Sequence, residues 1–108
     1  MATLLYIEDN ESIRQLVRFL LARRHDIQMI EASTGQNGLL QASASHPDII
    51  LVDNSLPDMT GSEVLQQLKA QHTTAAIPAI AISANPLGEL RSTAPGFDAY
   101  LSKPLDMT

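Results

Sequence analysis

The chain has 108 residues, of which 44% are hydrophobic and 18% are charged, so it is long enough for one globular domain over residues 1–108 and too short for two. A net charge of -5 argues against direct nucleic-acid binding, and the absence of cysteine excludes disulfides and thiolate metal sites. The sequence shows no signal-peptide pattern and no apolar run near the roughly 18 residues of a membrane span, so we expect a cytoplasmic domain without a membrane segment.

The first predicted elements are a strand and an amphipathic helix. An apolar strand over Leu4–Ile7 ends at the acidic pair Glu8-Asp9, and Asn10 is placed to cap a helix that starts near Glu11. Phe19 falls outside the apolar stripe of this helix. The stripe has the spacing of a helix packed on a sheet and consists of Ile13, Leu16, Val17, Leu20 and Leu21.

The middle of the chain repeats this alternation. A short strand over Ile27–Ile30 and a weaker helix through residues 37–44 precede the continuous apolar run 49–52, which is typical of a strand buried on both faces. Asp53 ends this strand. Thr60 and Glu63 have the spacing of a capping box, which predicts a third helix with Val64, Leu65 and Leu68 facing inward.

The last third contains two more strands. We expect a strand over Ile77–Ile82 that ends at Ser83, a poorly patterned helical segment over Leu87–Arg91, and a final strand over Ala99–Leu101 that leads into Lys103. Five strands would then alternate with four helices. This alternation predicts an α/β fold with a parallel, doubly wound sheet.

Several polar residues stand at the ends of these predicted strands, namely Glu8, Asp9, Asp53, Ser83 and Lys103. In an open parallel sheet the ligand crevice lies beyond the carboxyl ends of the strands, so these side chains should converge. Three carboxylates repel one another unless a cation compensates, and oxygen ligands suit Mg²⁺. A lysine, a hydroxyl and free backbone N–H groups can hold a phosphoryl group. A central aspartate such as Asp53 can attack phosphorus to form an acyl phosphate.

Each of these residues has an ordinary interpretation when it is taken alone. Glu8-Asp9 could favour the dipole of the first helix, Asp53 could belong to a loop, and Ser83 could form a turn. Lys103 could be a solvated charge and Tyr100 a half-buried core aromatic. The functional hypothesis therefore depends on the complete set.

The set resembles the receiver domains of two-component signalling, CheY-like response regulators, across nearly the whole chain. The matching positions, in order, are Glu8-Asp9, Asp53 with Pro57 and Gly61 at the family's offsets, Ser83-Ala84, Tyr100, and Lys103-Pro104. The resemblance implies a five-stranded parallel sheet in the flavodoxin-like order 2-1-3-4-5. It also implies a phosphoacceptor signalling module and not an enzyme that turns over an external substrate.

The resemblance further implies a role for each matching residue. Asp53 would accept the phosphoryl group, and Mg²⁺ would be bound by Asp9, Asp53 and the backbone carbonyl of Ser55, with Glu8 acting directly or through water. Lys103 and Ser83 would contact the phosphoryl oxygens, and Ser83 and Tyr100 would form the conformational switch. The expected partners are a histidine kinase or histidine phosphotransfer protein in a phosphorelay, and a downstream protein or attached domain.

One departure from the family affects the expected partners. Receivers usually close with a fifth helix beside the first, yet only Leu105–Thr108 follow Pro104, so we expect that helix to be absent. Apolar surface should then remain between the first helix and the last strand, and we expect a homodimer, a neighbouring domain, or a chain trimmed from a longer protein.

Three other functions compete with the phosphoacceptor hypothesis. A receiver fold used only for interaction or dimerisation stays an alternative. An aspartyl-phosphate phosphatase would be expected to carry a second acid two residues after the nucleophile, where this chain has Ser55. A flavodoxin-like cofactor binder would need a phosphate-binding loop after the first strand, where the acidic residues Glu8 and Asp9 would repel phosphate.

Overall fold

A computed structural model describes residues 2–84, 91–92 and 94–103 of the chain. Within them lie five strands and three helices, whose ends differ by at most two residues from those predicted, and the fourth strand starts two residues later than predicted. The strands are β1 (Ala2–Ile7), β2 (Ile27–Ala32), β3 (Ile49–Asp53), β4 (Ala79–Ser83) and β5 (Ala99–Ser102), and the helices are α1 (Glu11–Leu21), α2 (Gly35–Ser45) and α3 (Gly61–Ala70). Among these residues, the structure contains no helix both long and apolar enough to cross a membrane.

The strands form one parallel sheet in the order β2-β1-β3-β4-β5, so the predicted topology is confirmed. The order reverses at β1, where the chain moves first to β2 on one side and then to β3 on the other. Helices therefore cover both faces of the sheet, and the crevice at the reversal opens beyond the carboxyl ends of β1 and β3.

Side chains alternate between the two faces and build two separate cores. On one face, α2 and α3 pack over β1, β3 and β4, with Ile7, Val52 and Val64 fully buried. The inward positions predicted for α3, Val64, Leu65 and Leu68, are all buried. On the other face, α1 packs through Val17 against Tyr6 and Ile82.

The starts of α1 and α3 follow the predicted capping chemistry. Asn10 accepts a hydrogen bond from the backbone N–H of Ile13 at the start of α1. Thr60 and Glu63 form both hydrogen bonds of the capping box at the start of α3. These local signals set the helix boundaries without help from the rest of the fold.

Gly38 explains how closely α2 approaches the sheet. A Cβ atom at this position would lie 2.4 Å from Cδ1 of the fully buried Ile7. Only glycine leaves room for this contact, because the Ile7 side chain has core on every side. The weak apolar pattern of α2 therefore hides a tightly packed helix.

One prediction for α1 is wrong: Leu16 does not pack inward but is 56% exposed. Arg14 and Arg18 lie on the β2 side of the helix, where both contact Glu31. At 3.6 residues per turn, Leu16 and Leu20 therefore lie on the opposite side, above β3, β4 and β5. Phe19 is exposed, as predicted.

The sheet beneath Leu16 and Leu20 is only partly covered. Leu51 and Ile80 on this face are half-buried, and Leu101, which is paired with Ile82, is 41% exposed. We call Leu16, Leu20, Leu51, Ile80 and Leu101 the open face. Because Leu51 is only half-buried, the prediction that β3 is buried on both faces is only partly correct.

The remaining predicted helices fall largely outside the described residues. Arg91 and Ser92 are helical, whereas residues 87–90 of the segment predicted to be helical over Leu87–Arg91 are not described. The expected lack of a fifth helix after Pro104 concerns residues 104–108, which lie outside the described residues.

Candidate functional site

The polar residues at the strand ends converge because the strands are parallel and closely registered. Ile7 is paired with Val52, Asp53 with Ile82, and Ser83 with Ser102. The residues that follow β1 and β5 therefore meet the last residues of β3 and β4 at one edge. The sequence prediction that Glu8, Asp53 and Lys103 come together is correct as geometry.

Three carboxylates form the acidic part of this edge. One oxygen each of Glu8, Asp9 and Asp53 lies within 4.8 Å of the others. Glu8 and Asp53 are 0% and 4% exposed, whereas Asp9 is exposed at the rim. The cluster therefore has a buried floor and one side open to solvent.

Lys103 supplies the positive charge at the buried floor. Its Nζ lies 2.7 Å from Oε1 of Glu8 and 3.2 Å from Oδ2 of Asp53. The backbone N–H of Lys103 donates to the carbonyl of Ser83 at 2.9 Å, which fixes its position beside β4. Burial acts to lower the pKa of Lys103, but the hydrogen bonds and negative charges of Glu8 and Asp53 outweigh burial and hold that pKa above its usual range.

Glu8 has two further hydrogen-bond donors that the sequence did not reveal. The Tyr6 hydroxyl donates to Oε1 of Glu8 at 3.3 Å, and the backbone N–H of Asn10 donates to Oε2 at 3.3 Å. Burial and then the charge of Glu8 raise the pKa of the Tyr6 hydroxyl, so it keeps its proton and remains a donor. The only available signal was the spacing of two between Tyr6 and Glu8, which puts both on one face of a strand.

The loop after β3 is held on two sides. The backbone N–H of Ser55 donates to Oδ1 of Asp53 at 3.2 Å, and the N–H of Gly61 donates to the carbonyl of Asn54. Further along, Asp58 accepts hydrogen bonds from the N–H groups of Gln36 and Gly35, which lower the pKa of its carboxyl group. The loop is therefore anchored to the start of α2 as well as to β3.

These residues surround a cavity of about 330 Å³ at the sheet edge. The cavity brings together six of the seven residues predicted for the site. Its lining is Glu8, Asp9, Asn10, Ile13, Asp53, Ser55, Ser83, Ala84 and Lys103. Ser83 is 3% exposed at the end of β4, so its side chain belongs to the floor of the cavity.

Tyr100, the seventh predicted residue, does not line this cavity. Its side chain packs against the α2–α3 face of the core, with the Phe97 ring 6.0 Å away edge to face. Its hydroxyl donates to the carbonyl of Ala94 at 2.9 Å, and the Arg91 guanidinium lies 5.5 Å from the ring centre. Tyr100 is half-buried. This burial is compatible with a switch residue and equally with an ordinary core aromatic.

The donor set fits a hard divalent cation. All three clustered side chains offer carboxylate oxygens, the ligands that Mg²⁺ prefers, and exposed Asp9 leaves space for the waters that Mg²⁺ retains. The Lys103 ammonium already compensates the negative charges of Glu8 and Asp53. An aspartate between a cation site and an ammonium group can act as a nucleophile toward phosphorus.

Comparison with known sequences identifies a family. Residues 4–108 match the model of the response regulator receiver domain. DivK, a polar-differentiation response regulator of Brucella ovis, is 35% identical over 107 residues, which cover 97% of this chain and 86% of DivK. KdpE, the KDP operon transcriptional regulatory protein of Escherichia coli K12, is 36% identical over 106 residues. The chain covers 45% of KdpE and 49% of the nitrate/nitrite regulator NarL, so it spans about half of these two relatives.

Solved structures give the same result. The receiver domain of a sensor histidine kinase from Pseudomonas aeruginosa PAO1 superposes with a TM-score of 0.85 at 28% identity, covering 97% of this chain and 87% of that one. In that crystal structure a magnesium ion is coordinated in the active site cleft. The chemotaxis response regulator CheY4 of Vibrio cholerae also gives a TM-score of 0.85 at 28% identity, covering 98% of this chain and 89% of CheY4.

Proposed function

Because the chain belongs to the family of response regulator receiver domains, the signalling modules of two-component systems, we propose that Asp53 accepts a phosphoryl group from a phosphohistidine. The observation that carries this proposal is the position of the Asp53 carboxylate. It lies at the floor of the cavity, with Lys103 on Oδ2 and the Ser55 N–H on Oδ1. With Glu8 and Asp9 it forms a group of carboxylates that could hold a metal ion.

The transfer is a displacement at phosphorus. One carboxylate oxygen of Asp53 attacks the phosphorus atom, a P–O bond forms, and the P–N bond to the donor imidazole breaks. The imidazole leaves with the electron pair of that bond and takes up a proton from solvent. The product is an acyl phosphate on Asp53, whose two oxygens are already oriented by hydrogen bonds.

Asp9, Asp53 and the backbone carbonyl of Ser55 are proposed to bind Mg²⁺, with Glu8 binding directly or through water. The three carboxylates and the position of Ser55 in the cavity lining support this set, and the magnesium of the Pseudomonas structure supports the choice of ion. When it is bound, Mg²⁺ neutralises charge on the transferring phosphoryl oxygens. Lys103 would contribute its ammonium to the phosphoryl oxygens, and Ser83 its hydroxyl.

The output is proposed to be a change of surface around β4 and β5. Ser83 would move its hydroxyl onto a phosphoryl oxygen, and Tyr100 would then leave its contact with the Ala94 carbonyl. The two residues lie on adjacent strands, which supports their coupling. Such a pair is a two-state element biased by a local charge.

A histidine kinase or histidine phosphotransfer protein is the proposed phosphoryl donor, and a downstream protein or attached domain the proposed receiver of the signal. The open face gives a second surface for association. Its exposed Leu16 and Leu101 support contact with another copy of the chain, and this interaction is the alternative use of the fold if phosphorylation does not occur.

The proposal is tested by intact-protein mass spectrometry after incubation with phosphoramidate and Mg²⁺. The wild-type protein should gain the mass of one phosphoryl group, and Asp53→Asn should gain none. Asp48→Asn is a matched control, because Asp48 directly precedes the amino end of β3, whereas Asp53 is at its carboxyl end. It should be modified like the wild type.

Two results would contradict the proposal. An unmodified wild-type protein would leave the fold as an interaction module only. A mass gain that persists in Asp53→Asn would move the acceptor to another residue. Chelation of Mg²⁺ should slow the reaction strongly, and an unchanged rate would remove the metal from the mechanism.

A further inference from the structure

We infer that Tyr6 is a positioning residue for the metal site: its hydroxyl holds the Glu8 carboxylate in the geometry that binds Mg²⁺. The inference rests on the proposed function and extends it to a residue inside the first strand. Its basis is the contact between two fully buried side chains, one in β1 and one directly after it: the Tyr6 hydroxyl donates to Oε1 of Glu8.

Glu8 is 0% exposed, so bulk solvent does not hold its carboxylate. Its carboxylate therefore depends on protein donors: Tyr6 and Lys103 on Oε1, and the Asn10 N–H on Oε2. A buried carboxylate that lacks such donors is strongly destabilised. The orientation of Glu8 is thus set by these three contacts.

Tyr6 and Lys103 differ in how constant their contact with Glu8 can be. The Lys103 ammonium is shared with Asp53 and, in the proposed reaction, with the phosphoryl oxygens. The Tyr6 ring is packed against Val17 and Ile82 in the α1 core, and its hydroxyl has one proton to donate. Tyr6 therefore keeps Oε1 of Glu8 in place while Lys103 is engaged elsewhere.

Hydrogen-bond partners of metal-binding side chains have a measurable effect on affinity. Removing one typically weakens metal binding roughly 10–100-fold. For Tyr6→Phe we expect roughly tenfold weaker Mg²⁺ binding, at the lower end of that range, because the Asn10 N–H still holds the second oxygen of Glu8.

The first experiment compares the Mg²⁺ dissociation constants of the wild type, Tyr6→Phe and Thr74→Val by calorimetry. Thr74 is a matched control, since it is 1% exposed, its hydroxyl donates to the Leu68 carbonyl, and it is not part of the cavity lining. Both variants lose a buried hydroxyl bond and some stability. Only Tyr6→Phe should lose Mg²⁺ affinity, and equal affinities in all three proteins would overturn the inference.

A double-mutant cycle with Glu8→Gln tests whether Tyr6 acts through Glu8. In the Glu8→Gln background, the further change Tyr6→Phe should alter Mg²⁺ affinity less than twofold. A full additional loss there would show that Tyr6 affects the metal by another route, and the inference would be wrong.

Near-ultraviolet absorbance tests the same contact without substituting Tyr6. The chain has two tyrosines and no tryptophan, so in Tyr100→Phe all near-ultraviolet tyrosine absorbance comes from Tyr6. Mg²⁺ should produce a saturable difference spectrum with the calorimetric dissociation constant, and adding Glu8→Gln should abolish it. If no such spectrum appears while the protein binds Mg²⁺ and gains the Asp53 phosphoryl group, Tyr6 is only a core residue and the proposed function stands.

Discussion

Glu8, Asp53 and Lys103 show how a buried charge cluster is balanced. The two buried carboxylates share one ammonium group, and Asp9 adds a third negative charge at the rim. Because the pKa of Lys103 is raised in the folded protein, its ion pairs stabilise the fold fully below the unfolded pKa and are lost only as pH rises through the folded pKa. Lys103 is therefore charged throughout the neutral and mildly alkaline range.

Lys103→Met should lower the free energy of unfolding without metal by about 2 kcal/mol, less than for a fully buried pair because 19% of the Lys103 side chain is exposed. Mg²⁺ should restore much of this loss, since the cation replaces the missing positive charge. Urea denaturation with and without Mg²⁺ measures both effects. Lys69→Met is the control, because Lys69 is exposed and contacts only the Ala75 carbonyl among the described residues. An equal loss in Lys103→Met with and without Mg²⁺ would contradict this account.

At the scale of elements, Glu31 fastens α1 to the edge strand β2. Arg18 donates two hydrogen bonds to Glu31 at 2.6 Å, and Arg14 donates one at 3.2 Å. The hydrogen bonds from Arg18 are the main reason that the pKa of the Glu31 carboxyl is lowered. With Arg14 and Arg18 on the β2 side of α1, Leu16 lies on the side of the helix away from β2, as part of the open face.

Glu31→Gln should therefore destabilise the protein at neutral pH by about 0.5–1 kcal/mol. Because the pKa of Glu31 is lowered on folding, its contribution is present above the unfolded pKa and lost as pH falls through the folded pKa. The difference between wild type and variant should shrink toward zero as pH falls through the lowered pKa of the Glu31 carboxyl. Urea denaturation across this range measures it. Asp26→Asn removes the exposed pair with Arg24 and should change little at any pH, whereas a pH-independent Glu31→Gln effect would contradict the assignment.

At the scale of the whole molecule, the two faces of the sheet are unequally covered. The α2–α3 face forms the larger core, while the other face has α1 alone among the described helices. Leu16 at 56% and Leu101 at 41% exposure mark the uncovered part. Apolar groups arranged in this way favour association with another protein surface.

Leu16→Gln should weaken self-association roughly 10–150-fold, because burying one leucine contributes about 1.5–3 kcal/mol and each 1.4 kcal/mol is a factor of about ten. Sedimentation velocity over a range of protein concentrations measures the dimer fraction. Leu40→Gln is the matched control, since Leu40 is 60% exposed on α2, on the other face of the sheet. A wild-type protein that stays monomeric at all concentrations, or an equal effect of Leu40→Gln, would rule out the open face as a dimer contact.

The sequence by itself determined the order of the elements, the starts of α1 and α3, and the candidate cluster. Local chemistry is sufficient for these features: Asn10 and Thr60 cap helices with their own side chains, and the apolar run before Asp53 identifies a central strand. Parallel strands bring their carboxyl ends together, so the meeting of Glu8, Asp53 and Lys103 followed from topology.

Only the tertiary structure decided the contacts that depend on distance and orientation. From the sequence, Tyr6 is one of several strand residues, and only the structure places its hydroxyl beside Glu8. The apolar stripe predicts that Leu16 is buried, but in the structure α1 is oriented with Arg18 on Glu31 and Leu16 exposed. Periodicity gives the width of an apolar stripe but not which part of it the neighbouring elements cover. The physical reason is that the burial of a side chain depends on which elements pack against it in the folded molecule, whereas helix capping depends on residues that are close in sequence.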